Sequence, residues 1–155
     1  MRNTLKCLGI IACIPVLSCS GGKKQENSQQ MVKIGDRTWT VELALTEEEK
    51  RKGLQGRSDL PEDRGMLFVY STPQICRFWM KGCSYPLDII FIGQDMRIIN
   101  TREMEVEDGE GDLERYTSEL PALYVLEVKG GSVAKAGISA GDIVEFRNIR
   151  TSPGK

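Results

Sequence analysis

The chain has 155 residues, 28% of them charged, with 21 Lys+Arg against 22 Asp+Glu and no histidine. A net charge of −1 supplies no field that would draw nucleic acid, so no nucleic-acid partner is expected. Without histidine, Ser-His-Asp and Cys-His mechanisms, His-ligated zinc and the usual neutral-pH acid–base residue are excluded; an enzyme built on this chain would have to use Asp, Glu, Lys, Tyr or Cys.

Arg2 and Lys6 form a short positive start, and residues 7–17 are an uncharged apolar run leading to Ser18-Cys19. A basic start, a short apolar core and a small residue directly before cysteine are the layout of a bacterial lipoprotein signal. The run is about half of the ~20 residues a membrane-spanning helix needs, so cleavage is expected rather than spanning. Residues 1–18 are then the signal peptide, Cys19 the lipidated residue, and the protein is exported and lipid-anchored to a bacterial cell membrane or outer membrane. Residues 20–30 (SGGKKQENSQQ) offer no large apolar side chain to bury and complete a flexible tether over 19–30. A single β domain is expected over 31–150.

Val32 and Ile34 lead into Gly35-Asp36, a two-residue hairpin turn, after which Trp39, Val41, Leu43 and Leu45 alternate with shorter or polar residues. Thr46-Glu47-Glu48-Glu49 is a capping box that starts a short helix near 47–52. Lys50, Arg51 and Lys52 suit the negative end of its dipole, and Gly53 stops it with Leu54 packing behind. Met66–Tyr70 forms an apolar strand closed by Pro73, with further strand candidates at 74–81, 87–92, 97–106, 122–128 and 143–146. Residues 107–119 are a charged loop. Gly131–Asp142 resembles the AGL-x-x-GD segment of PDZ domains, but no carboxylate-binding loop precedes it. It is read as structure, with Ser132 capping a one-turn helix near 132–136, Gly137 ending it and Ile138 plugging the core. Many short strands and little helix predict a mainly β fold, a compact β-barrel or sandwich.

Of five cysteines, Cys7 and Cys13 lie in the signal peptide and Cys19 directly follows it, leaving Cys76 and Cys83. An exported domain invites a disulfide. Seven residues of extended chain, however, reach roughly 23 Å, against the ~4.4–6.8 Å that a disulfide permits between Cα atoms. Two separate thiols are expected. Met66, Met80, Met96 and Met104 are too scattered to make a soft-metal site with them, and neither a metal nor another cofactor is expected.

Three segments stand in order: Gly53-Leu54-Gln55-Gly56-Arg57, then Asp63-Arg64-Gly65-Met66-Leu67-Phe68, then Phe78-Trp79-Met80-Lys81 followed by Pro86-Leu87-Asp88-Ile89. Together with Val125-Leu126-Glu127-Val128 and Gly141-Asp142, they resemble the bacterial and archaeal family catalogued as domain of unknown function 192. Gly82-Cys83 stand where that family usually has Asn-Thr. The resemblance implies a small, predominantly β, often exported domain with no assigned biochemical role.

Arg57, Trp79, Lys81, Asp88 and Glu127 are the ligand-binding candidates. Each charge could instead lock a loop onto the barrel, Arg57 pairing with Asp88 or Glu127. Strand alternation puts Trp79 and Lys81 on one face and Phe78 and Met80 on the other, the second pair in the core. A cleft lined by Trp79, Lys81, Asp88 and Arg57 would offer a flat apolar wall and charges that select a small polar or anionic ligand. The expected function is therefore a membrane-tethered module that binds such a ligand or an envelope protein. The alternative is a hydrolase or lyase that uses a carboxylate or lysine on an envelope substrate, Asp88 acting with Glu127. Convergence of Lys81 and Asp88 in a desolvated cleft would favour chemistry; their exposure would favour the module.

Overall fold

The computed structural model describes residues 29–107 and 113–149. The expected signal segment, Cys19 and the tether as far as residue 28 lie outside the described residues. The chain forms β1 (Met31–Ile34), β2 (Arg37–Ala44), α1 (Glu47–Lys52), β3 (Arg64–Gln74), β4 (Arg77–Phe78), β5 (Leu87–Ile92), β6 (Ile98–Met104), β7 (Tyr116–Thr117), β8 (Ala122–Lys129), α2 (Ser132–Ala136) and β9 (Val144–Arg147).

Seven strands make one sheet in the order β6-β5-β8-β3-β2-β1-β9. Every pairing in it is antiparallel except β2 with β3. That parallel pair needs a crossover, and residues 45–63 supply it, carrying α1. Gly35 at φ +55° turns β1 into β2, with Ile34 opposite Arg37. The sheet curls until its edges touch at one end. The Ile98 amide donates to the Asp142 carbonyl at 3.0 Å, the Val144 amide to Met96 at 2.9 Å, and Arg97 bridges Ile143. The mainly β, barrel-like architecture expected from the sequence is what forms, with β4 and β7 as a separate two-stranded ribbon.

Period-two alternation sorts the core into two faces. Val32, Ile34, Trp39, Val41, Leu67, Val69, Ile90, Ile92, Ile98, Leu126, Val128 and Val144 form one cluster, joined by Ile138 from beyond α2. All seven strands contribute, so this is the inside of the curl. Phe68, Ile89, Phe91 and Val125 point the other way. Leu54, Leu60, residues of 76–85 and Tyr116 cover them, Phe78 and Tyr116 coming from the β4–β7 ribbon. All six residues of β5 are buried because both faces are covered.

Two local expectations are corrected. Pro73 does not end its strand: β3 continues to Gln74 through a register shift after Val69, a bulge that lets a residue without an N–H remain in the ladder. Residues 74–81 do not form one strand: Gln74 ends β3 opposite Ala122, Arg77 and Phe78 pair with Thr117 and Tyr116, and the chain then turns at Lys81-Gly82. The turn region leaves Cys76 and Cys83 as two buried, free thiols, the outcome expected.

Candidate functional site

The expected acid pair fails on parity. In β8 Glu127 lies opposite Met66 of β3 and Ile89 of β5, so it shares their outer face. Asp88 is one residue before Ile89 and projects to the inner face. There it accepts hydrogen bonds from the Gly131 amide at 3.1 Å and the Val133 amide at 2.7 Å. Asp88 is therefore the cap of α2. Ser132, expected to do this, makes no capping bond, and Gly131 holds the cap position in a left-handed conformation. Both donors are first-turn N–H groups that the helix itself cannot satisfy.

Arg57 pairs with neither expected acid. Its guanidinium grips Glu42 through two 2.7 Å bonds, which hold the Glu42 carboxyl below its usual range and raise the Arg57 pKa. This fork-to-fork pair ties the crossover to β2. Lys81 is exposed, with Nζ 5.7 Å from the centre of the Trp79 ring. Lys81 and Asp88 do not converge, and the four-residue cleft is not assembled.

Trp79 and Glu127, by contrast, come together. They line a pocket of about 190 Å³ with Lys50, Arg51, Lys52, Gly53, Leu54, Gln55, Phe68, Tyr70, Arg77, Phe78 and Cys83. Its basic side comes from α1. The capping box that fixes that helix is present in full: the Thr46 side chain accepts from the Glu49 amide at 3.2 Å, and Glu49 accepts from Thr46 at 2.8 Å. Gly53 then turns the chain at φ +48°, where a side chain would press on the Phe68 ring at 3.4 Å. Phe68 and Phe78 meet edge to face at 4.9 Å and form an apolar wall.

Glu127 is 5% exposed, and no described residue donates a hydrogen bond to its carboxyl or forms an ion pair with it. Burial alone pushes its pKa up to about 8, so the group is a neutral acid near pH 7. Around the mouth the charge is positive. Lys50 stands 4.6 Å from the Tyr70 ring and 3.0 Å from Glu47. Arg51, Lys52 and Arg77 form no ion pair among the described residues. Trp79 is 40% exposed, with Arg115 over its ring at 4.3 Å. Cys83 and Tyr70 are less reactive than in water: burial pushes the Cys83 thiol up to about 11 and raises the Tyr70 phenol. No group of three or more potential metal ligands occurs among the described residues.

Of the five candidates named from the sequence, Arg57, Lys81 and Asp88 lie outside this pocket and Trp79 and Glu127 line it, whereas its basic wall was not anticipated. Lys50-Arg51-Lys52 were read only as complements to the helix dipole, and Arg77 was not singled out. The signal available was the run of three cations directly before Gly53, which directs the chain back over β3.

A crystal structure of a protein of unknown function from Novosphingobium aromaticivorans is 37% identical, aligned over 76% of this chain and 83% of its own, with a TM-score of 0.67. A Sinorhizobium meliloti protein provisionally described as a transcription regulator is 32% identical over 77% of this chain and 92% of its own, with a TM-score of 0.68. No curated protein matches the chain. The family model described as Uncharacterized ACR matches residues 30–146, and the chain belongs to that family, domain of unknown function 192.

Proposed function

We propose that this protein is an envelope lipoprotein, anchored through Cys19, whose β domain is a membrane-tethered binding module with its ligand site at the Glu127 pocket. One observation carries the reading: a carboxyl group 5% exposed, with no partner among the described residues, faces a pocket of about 190 Å³. Burying such a group without a hydrogen bond is costly, and an occupant that pairs with it would recover the loss. The exposed Trp79 gives the same pocket an aromatic lip. A net charge of −1 supports a small ligand over nucleic acid.

A second reading has one specific observation behind it. An acid held protonated near neutral pH is the form a hydrolase needs for its general acid. The nucleophile is what that reading lacks, because the neighbouring thiol and phenol have raised pKa values.

The test is thermal melting of the full-length chain against a small-molecule library of mixed charge, with Glu127→Leu and Trp79→Ala run alongside. Binding predicts stabilising compounds whose effect disappears in both variants. A library with no compound that depends on either residue would refute the module. Compounds recovered chemically altered would favour the hydrolase.

A further inference from the structure

The occupant's class can be narrowed from three properties of the pocket, on the reading that it is a binding site. Size comes first. An apolar protein cavity of about 150 Å³ takes benzene, so about 190 Å³ holds one ring and a few further heavy atoms. The lining comes second. Leu54, Phe68 and Phe78 are apolar, and a bare inorganic anion would leave that wall without contact. Charge comes third. Lys50, Arg51, Lys52 and Arg77 are among the lining residues, the last three without an ion pair among the described residues, whereas the one acid in the lining is Glu127 on the sheet.

A positively charged ligand would meet Arg51, Lys52 and Arg77, and Glu47, the acid beside Lys50, is already paired with it. A neutral ligand would leave those cations unused. Only a negatively charged, mostly apolar molecule satisfies wall and mouth together. Its inner end must then answer the Glu127 carboxyl, which is protonated near neutral pH and so offers one O–H donor.

We propose that the pocket takes a single-ring organic anion: the negative group lies among Lys50, Arg51, Lys52 and Arg77, the ring packs on Phe68 and Phe78, and an oxygen at the far end accepts a hydrogen bond from Glu127. Trp79 closes over the ring edge, backed by Arg115.

Four probes separate these contributions, titrated calorimetrically into the full-length chain at pH 6.5. They are 4-hydroxybenzoate, benzoate, 4-hydroxybenzyl alcohol and 4-hydroxybenzylamine, with inorganic phosphate as a fifth arm. 4-Hydroxybenzoate is expected to bind best. Benzoate, which lacks the inner oxygen, should bind roughly 5-fold more weakly, in keeping with one net hydrogen bond. The alcohol should lose at least about tenfold for want of the charge, and the amine and phosphate should not bind measurably. Glu127→Leu should erase the preference for 4-hydroxybenzoate over benzoate, and Glu127→Gln, which keeps a donor, should retain most of it. Arg77→Ala and Lys52→Ala, both at exposed positions, should weaken the two anions and leave the alcohol unchanged. Should the alcohol or the amine match the acid, or should only phosphate bind, the ligand class is wrong and the pocket reading survives. The class is equally overturned if none of the probes binds while other library compounds do so through Glu127. When no compound of any charge depends on Glu127 or Trp79, the pocket reading itself falls.

Discussion

Two acids are buried in this sheet, one on each face, and they live in opposite circumstances. Asp88, on the inner face, is 2% exposed and holds two backbone amides of α2. Glu127, on the outer face, is 5% exposed and has no described partner. The inner face is closed by strands from every part of the sheet and needs its acid to finish a helix. The outer face is closed by irregular chain, which leaves a gap beside its acid. A satisfied buried acid is scaffold; an unpaired one beside a cavity is the feature on which the proposed ligand site rests.

The comparison breaks first, and most visibly, on pH. The Glu127 pKa is about 8 in the fold against a reference of 4.5, so the folded state binds more protons than the unfolded one between those values. Its stabilising contribution is complete below about pH 4.5 and is lost as pH rises through about 8. The total is of the order of 5 kcal/mol. Urea melts at pH 5 and pH 9 should show wild type losing stability relative to Glu127→Leu; parallel profiles would mean that Glu127 is paired after all. The charge of Glu127 is felt by Tyr70, Cys83 and Tyr85, so its ionisation also makes those groups harder to ionise.

Next in size is the cover of the outer face. Met80 is 1% exposed, and Met80→Ala should cost roughly 2–5 kcal/mol in the same melts. Asp88→Ala should follow at about 2 kcal/mol, because two helix N–H groups lose their acceptor. Because it keeps Glu127, this variant should lose stability between pH 5 and pH 9 as wild type does. Smallest are Trp79→Ala and Lys81→Ala, expected within about 0.5 kcal/mol of wild type as exposed positions. A Trp79→Ala loss as large as that of Met80→Ala would make the pocket's lip part of the scaffold.

Much of this was legible residue by residue. The hairpin at Gly35, the capping box at Thr46 and the turn at Gly53 are local, and their chemistry is complete within a few residues. The sidedness of Phe78-Trp79-Met80-Lys81 was also legible: Met80 is buried, Phe78 half-buried, and Trp79 and Lys81 exposed. Partner choice was not. Whether Arg57 meets Glu42, Asp88 or Glu127 depends on strand order and register, which place residues distant in sequence side by side. The same holds for the pocket, whose basic wall comes from the crossover after β2 and whose acid comes from β8. Asp88 capping α2 was invisible because Ser132 offered a local cap that the fold does not use.

The pairing of β1 with β9 bears on how the chain comes together. Met31 lies opposite Arg147, so the outer edge of the first strand stays uncovered until the last one is made. Contacts this far apart in sequence incur their loop-closure cost before any gain, which slows folding. An exposed edge is meanwhile a template for pairing with other chains. β9, only four residues long, therefore acts as a latch: its arrival covers the β1 edge and brings the two ends of the sheet together.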